Sequence, residues 1–485
     1  MPQTISPPES TATELRPLCV DLDGTLVKSD TLIDSLLVLA RTRPLIALGL
    51  PAQVVRGKAA FKAYVTGHVA LDVAHLPYNR KLLHFLQQER MSGRPIYLAT
   101  GADERLAQRV AEHLGLFSGV LGSDGVTNLT GNRKLDSLRS RLGSCEFDYI
   151  GNDTPDLPLL ARAAEPQVAN PSPRLKRMLR ARGIRPTHTF EERGRLLPSV
   201  LKALRPHQWA KNLLIFLPLL LAHVIEPARL RAALLAFGCF CLAASATYIV
   251  NDLLDIEADR RHAGKRFRPF ACGDLPASTG LVIAVAFLLL ALLGARLLLP
   301  SAFLGWLLAY LATALAYSMV LKRVALVDVV VLSGLYTLRL LAGSGATGSH
   351  ISAWLAGFSV FLFFSLAIVK RFAELENLRS SASPPRNGRG YLVADIDQLR
   401  SFGTSSAFAA VVVFAIYINS TDVTILYRHP ERLWLIMPLM ILWLCRVWLL
   451  ASRGNLSEDP MVFALTDQMS LLIGAAVAVI VFVAI

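Results

Sequence analysis

From about residue 213 to the C-terminus, apolar runs near the length needed to cross a hydrocarbon core follow one another, separated by short polar connections. Nothing else in the chain limits the fold so strongly, since unpaired backbone groups are not tolerated in lipid and runs of this length satisfy theirs as helices. Spans are expected near 213–225, 229–250, 280–299, 302–320, 325–343, 352–369, 404–420, 432–450 and 468–485. The first is the shortest, and Lys211 and Asn212 interrupt it, so a half-buried leading helix stands there beside a true span. Together the runs account for an apolar content of 53%, too high for an ordinary soluble chain of 485 residues.

A net charge of +14 would suggest nucleic acid in a soluble protein. Here Lys and Arg gather at span ends, in 193–211, 260–268, 322–323 and 370–400, which reads as topology and phosphate chemistry, with no nucleic acid partner. With nine spans these segments share one side, although Arg229, Arg296 and Arg428 lie near the other. The bias makes the basic side cytoplasmic and takes the N-terminal region with it, as expected for a multi-pass protein of the inner (plasma) membrane. Six cysteines, Cys19, Cys145, Cys239, Cys241, Cys272 and Cys445, show no metal-like spacing. The first residues are polar and Pro-rich, without an apolar segment that reads as a signal peptide, and neither GxxxxGK[ST] nor HExxH occurs.

The first 195 residues have a different rhythm. Leu18-Cys19-Val20 reads as a buried strand ending in Asp21-Leu22-Asp23-Gly24-Thr25-Leu26, where Gly24 permits the curl that turns both carboxylates toward the loop. A second strand, 95–99, ends at Thr100-Gly101 and leads into a helix over 103–114. Lys134 opens a helical segment, 134–142, and a strand over 147–150 runs into Gly151-Asn152-Asp153-Thr154-Pro155-Asp156. Strand, chemical group and helix, repeated, is the pattern of a doubly wound α/β domain with its site along one sheet edge. Between Thr31 and about Arg80 a mainly helical insertion reads as a cap, or as helices that only cover the sheet edge.

These motifs, DLDGTL, ATG, the lone Lys134 and GNDTPD, resemble those of the haloacid dehalogenase-like phosphatase superfamily over residues 18–170. The resemblance implies that Asp21 is the nucleophile that takes a phosphoryl group and Asp23 the acid/base for the leaving group. Thr100 and Lys134 would hold phosphoryl oxygens, and Mg²⁺ would sit among Asp21, Asp23, Asn152, Asp153 and Asp156. A carboxylate attacking a phosphomonoester needs nearby positive charge, which a metal and a lysine supply. The family usually has Asp directly after the glycine where this chain has Asn152, so the metal would lean on Asp153 or Asp156.

In the second part, 196–485, the second span delivers Asn251-Asp252-Leu253-Leu254-Asp255-Ile256-Glu257-Ala258-Asp259-Arg260 to the basic side. Asp252, Asp255 and Asp259 are spaced to share one face of a continuing helix. Carboxylates stacked so repel unless something positive sits among them, as Mg²⁺ bridging a diphosphate would. Arg261, His262, Lys265, Arg266 and Arg268 follow as phosphate donors; the competing reading is a solvated charged loop. The same side supplies RPHQWAKN with Lys211 and Asn212, Tyr317 and Lys322 after the fourth span, and Asp328 entering the fifth. Lys370, Arg371 and Glu374 close the sixth, with Arg389 and Tyr391 beyond. A single lysine at a span end is as readily a head-group anchor as a ligand.

This region resembles the UbiA superfamily of membrane prenyltransferases, nine-span proteins with a cytoplasm-facing cavity. NDLLDIEADRRHAGKRFRP looks like the first aspartate-rich motif of that family. With RPHQWAKN, YSMVLK followed by Asp328, and KRFAEL, the likeness is nearer to the polyprenyl-phosphate (decaprenyl-phosphate type) phosphoribosyltransferase branch. Where ordinary members carry a second aspartate-rich motif this chain has KRFAELEN, and the basic pair Lys370-Arg371 suits an additional phosphate. The resemblance implies Mg²⁺ held by Asn251, Asp252, Asp255 and Asp259, with Asp252 and Asp255 central to catalysis. Lys211, Asn212, Lys265, Arg266, Arg268, Tyr317, Lys322, Asp328, Lys370, Arg371, Glu374 and Tyr391 would line the substrates. The implied donor is 5-phosphoribosyl 1-diphosphate, the acceptor a polyprenyl phosphate among the membrane lipids. The N-terminal domain would then remove the 5-phosphate of the product, a step in cell-envelope glycan supply. Two alternatives remain open: prenyl transfer from a diphosphate to a small acceptor beside an independent phosphatase, and a scaffold or lipid transporter with a regulatory N-terminal domain.

Overall fold

A computed structural model of the chain describes residues 15–143, 145–223, 226–379, 389–456 and 459–485. The polar N-terminal stretch and part of the 370–400 basic segment lie outside them. Contacts divide the chain into two compact units, one of residues 1–203 with 252–281, the other of 204–251 with 282–485.

The first unit is built on six parallel strands, β1 (Leu18–Val20), β2 (Ile96–Asp103), β3 (Gly119–Ser123), β4 (Asp148–Gly151), β5 (Pro166–Ala169) and β6 (Thr189–Phe190), in the order β3-β2-β1-β4-β5-β6. β1 pairs with both β2 and β4, so the winding reverses beside it, and the loops after β1 and β4 flank the crevice where such sheets bind ligands. Central strands are buried on both faces: Leu18, Val20, Leu98 and Ile150 pack in one core, Cys19, Tyr149, Leu138 and Leu175 in the other. β2 continues past the expected end at Ala99 to Asp103, with an irregularity after Ala99, so Thr100 lies within the strand. The insertion is helical as expected, with helices Thr31–Thr42, Pro44–Ala47, Leu50–Val55 and Lys58–His68.

From residue 227 onward, seven helices among the described residues are long and apolar enough to cross a membrane: Pro227–Leu254, Ala277–Leu298, Ser301–Met319, Val327–Thr347, Ala353–Arg379, Val393–Ile418 and Pro430–Ser452. An eighth candidate is the pair Pro460–Thr466 and Gln468–Ala484, bent by 78°. Against nine expected spans, seven or eight are thus long and apolar enough among the described residues. The expected first span, 213–225, is a 3₁₀ run, Pro206–Phe216, followed by the five-residue helix Leu217–Leu221. Two prolines lack the N–H a long helix needs, and Lys211 and Asn212 are buried in protein. Ala277–Leu298 turns Leu289, Leu290, Leu293 and Leu297 outward, an apolar face suited to lipid, and the chain is a multi-pass membrane protein. Helices approach closely where side chains are small: a Cβ on Gly403 would fall 2.1 Å from the Trp448 ring.

Candidate active sites

At the edge of the sheet, β1 ends in Asp21 and the chain turns at Gly24 with φ +73°, a conformation glycine adopts without strain. Lys134, on the helix Asn132–Leu142, is buried and donates to Asp21 Oδ1 at 2.8 Å, to Asp156 Oδ1 at 3.1 Å and to the Tyr149 hydroxyl at 3.0 Å. Burial works against the Lys134 charge, but Asp156 and Asp21 outweigh it and hold the ammonium well above its usual range. Asp21 is raised by burial, against the pull of Lys134. Asp23 accepts the Thr31 N–H at 2.8 Å, and burial, with Asp30 adding to it, pushes its carboxyl up to about 8. Raising the carboxyl in this way favours its protonated form, the form that donates to a leaving group.

The two acids expected to take the metal in place of the missing aspartate each accept several hydrogen bonds. Asp156 accepts from Tyr149 at 2.8 Å and from the N–H groups of Asn152 and Asp153 at 3.0 and 3.3 Å. Asp153 accepts from the Ser172 hydroxyl at 2.7 Å and the Thr154 N–H at 2.8 Å. Asn152 instead packs over the Gly24 turn, where a Cβ on Gly24 would meet its amide at 2.0 Å. By chemistry, Asp21 and the Asn152 side-chain oxygen are one charged and one neutral donor of the kind a hard cation takes. Thr100 is buried, its hydroxyl accepting the Ala102 N–H at 3.0 Å. Sequence reasoning passed over Lys62, which donates to Gly101 O at 2.5 Å and Asn128 Oδ1 at 2.8 Å and, with Asp23, Asp30 and Thr31, lines a cavity of about 70 Å³.

The acidic segment of the first unit departs from a continuing helix. Pro227–Leu254 ends before Asp255, which caps the short helix Ile256–Arg261. Asp252 and Asp259 nonetheless converge, because Arg268 Nη1 donates to Asp252 Oδ1 at 3.1 Å and to Asp259 Oδ2 at 2.7 Å. One cationic nitrogen therefore sits on both carboxylates, as a hard cation would, and these two acids fit such a cation by chemistry and by convergence. Burial raises the Asp259 carboxyl against the pull of Arg268. Asp255 is turned the other way, to Arg41 at 3.0 Å. Arg266 is exposed and stacks over Phe267 at 4.9 Å, Lys265 is half-buried, and His262 Nδ1 accepts the Gly264 N–H at 3.2 Å. Among the described residues no three His, Cys, Asp or Glu side chains stand close enough together to hold a metal.

The second unit sorts its predicted residues into two clusters. Lys211 and Lys370 each donate to Asp459 Oδ2 at 2.7 Å, with the Tyr336 hydroxyl 3.3 Å from its other oxygen. Arg371, next to Lys370 but about 100° round the helix, joins the other cluster. It donates to Asp328 at 2.6 Å, Glu374 at 2.6 Å and Tyr317 at 3.2 Å, and its side chain is 1% exposed. Arg389 reaches Tyr317 at 3.2 Å, and the Tyr391 hydroxyl closes on Asp328. The basic pair is therefore split between two partners. Lys322 donates to Asn251 Oδ1 at 2.9 Å. Asn212 is fully buried and accepts from Arg339 Nε at 2.9 Å, while Arg339 also donates to Leu335 O at 2.5 Å and to Tyr310 at 3.4 Å. Asp459, Tyr336 and Arg339 were not singled out in the sequence, although an arginine midway along an apolar run is a functional signal by default.

A polytopic helical unit and a unit built on a doubly wound parallel sheet, with its motif residues at the strand ends, together define the class. Residues 212–472 match the UbiA prenyltransferase family, and the chain belongs to it. The uncharacterized protein y4nM of Sinorhizobium fredii is 38% identical over 468 residues, 95% of this chain and 90% of its own length, so that likeness spans both units. The nodulation protein NoeC of Azorhizobium caulinodans is 34% identical over 56% of this chain and 88% of its own. The decaprenyl-phosphate phosphoribosyltransferase of Mycobacterium tuberculosis is 37% identical over 47% of this chain and 76% of its own.

Proposed function

We propose that the chain transfers 5-phosphoribose from 5-phosphoribosyl 1-diphosphate to a polyprenyl phosphate, and then removes the 5-phosphate. Residues 1–195 would form the hydrolase and 196–485 the transferase, with both reactions on the cytoplasmic face of the inner membrane. The observation that carries the transferase reading is the convergence of Asp252 and Asp259 on one cationic atom. Likeness to the mycobacterial phosphoribosyltransferase supports the choice of donor.

Mg²⁺ held by Asp252 and Asp259, with Asp255 and Asn251 nearby in the chain, would offset charge on the departing diphosphate. In the transfer, the bond from ribose C1 to the diphosphate oxygen breaks with its electron pair leaving on diphosphate. A new bond forms from C1 to an oxygen of the lipid phosphate. That phosphate is ionised at neutral pH, so no strong base is needed, and Lys265, Arg266, Arg268, Lys211, Lys322 and Lys370 are the cations available to the phosphates. Arg371, Tyr317, Asp328, Glu374 and Tyr391, joined in one hydrogen-bonded network, would line the substrate phosphates beside Lys370.

In the hydrolase, Asp21 attacks the 5-phosphate, the phosphorus–ester bond breaks, and Asp23 protonates the leaving ribose oxygen. Water then releases phosphate from Asp21 with Asp23 as base. Lys134 and Thr100 steady the phosphoryl oxygens, and Asp21 with Asn152 would hold the Mg²⁺. The test is labelled 5-phosphoribosyl 1-diphosphate with polyprenyl phosphate and Mg²⁺ in lipid nanodiscs. Labelled lipid without its 5-phosphate is expected. Label moving only from a prenyl diphosphate to a soluble acceptor would instead support prenyl transfer, and no transfer from either donor would support a scaffold.

A further inference from the structure

The insertion helix Thr31–Thr42 serves two sites. At its first residue the Thr31 N–H donates to Asp23, and one turn later Asp34 accepts from Arg260 Nη2 at 2.8 Å. Arg260 lies on the helix Ile256–Arg261, next to Asp259. The two side chains are 1% and 4% exposed, and Arg260 also donates to Ser29 Oγ and Ala271 O, each at 3.2 Å. Two outer contacts bracket this pair. Arg41 donates to Leu254 O at 3.0 Å and meets Asp255, while Asp72 pairs with Arg261 at 2.6 Å and gives its N–H to Glu257 at 3.1 Å.

A six-residue helix has too few internal hydrogen bonds to hold itself, and the break at Asp255 uncouples it from the long helix before it. Arg268 bridges Asp252 and Asp259 where they meet, and the orientation of the short helix that brings Asp259 there is set by contacts from outside it. A buried ion pair stabilises little more than a well-packed apolar pair would, but it fixes one register.

We infer that the Asp34–Arg260 pair is a positioning device through which the N-terminal insertion holds the acidic segment so that Asp252 and Asp259 meet at one point. This rests on the transferase reading for its purpose, though not for its geometry. The N-terminal unit is then a working part of the transferase as well as a hydrolase.

The experiment uses the full chain in nanodiscs, with Asp34→Asn and Arg260→Met to remove one charge each and Arg260→Lys to keep it. Amide hydrogen exchange over 252–268 and the Mg²⁺ concentration for half-maximal transfer are both measured. Asp34→Asn and Arg260→Met should speed exchange in that segment alone and raise the Mg²⁺ requirement by about 10- to 100-fold, the usual effect of losing an outer-shell partner, with Arg260→Lys close to the parent. Parental exchange in 252–268 overturns the inference. So does faster exchange with an unchanged Mg²⁺ requirement, or faster exchange spread through the whole unit. If the parent transfers nothing, the functional reading fails, and the exchange measurement alone decides whether the clamp exists.

Discussion

Two buried clusters, one in each unit, are built with opposite stoichiometry. In the first, one ammonium, Lys134, is shared by two carboxylates, Asp21 and Asp156. In the second, one carboxylate, Asp459, is shared by two ammonium groups, Lys211 and Lys370. The first is left one positive charge short and the second one negative charge short. A site that needs a cation before it can accept a phosphoryl group is suited to Asp21 chemistry. A site that needs an anion is suited to a phosphate of the transfer substrates. Each ligand would complete a charge balance the protein leaves open.

The largest effect that would break this comparison is at the nucleophile: Asp21→Asn should lower phosphomonoester hydrolysis by about 10⁴-fold, read by phosphate release. A residual rate near the parent's would remove Asp21 from the chemistry. Next, Asp459→Asn leaves the buried Lys211 and the half-buried Lys370 without their counter-ion and should destabilise the second unit by about 1.5–3 kcal/mol. Inorganic diphosphate should recover more of the thermal midpoint in this variant than in the parent. An equal shift in both would mean that the lysines do not seat an anion. Lys211→Met or Lys370→Met should raise KM for the phosphate-bearing substrates by about 10- to 100-fold with a smaller change in kcat, as expected for one charged hydrogen bond. The smallest effect sharpens the first cluster. Asn152→Asp adds a second carboxylate beside Asp21 and should reduce the Mg²⁺ needed for half-maximal hydrolysis by about 10-fold, since hard-cation affinity follows ligand charge.

Much of the first unit was legible because its information is local. Strand ends, Gly24 and Lys134 announce themselves within a few residues, and the doubly wound class follows from repeated strand–helix alternation, although β3, β5 and β6 were not read from the sequence. The span count was less legible: hydropathy registers the apolar character of 213–225 but not that Pro218 stands where a 3₁₀ run ending at Phe216 gives way to a five-residue helix. The acidic spacing suggested one helical face, but Asp255 ends one helix and caps the next, so convergence reaches only Asp252 and Asp259. Nothing within the insertion marks Asp34, which acquires meaning only from Arg260, 226 residues away. Asp459 was missed for the same reason, its lysines lying 248 and 89 residues back. Long-range ion pairs leave no periodicity to read.

Arg339 bears on how the second unit is made in the cell. An arginine near the middle of a span costs about 2.5–3.5 kcal/mol to insert when nothing receives it. Its side-chain partners, Asn212 and Tyr310, both precede it in the chain. When the segment Val327–Thr347 leaves the ribosome, those groups have already been synthesised, so the guanidinium can pass from the translocation channel to waiting acceptors without resting in lipid. The order of segments along the gene is thus also an order of assembly. A permuted chain that placed residues 204–223 after Val327–Thr347 would have to insert the same charge before one of its acceptors existed.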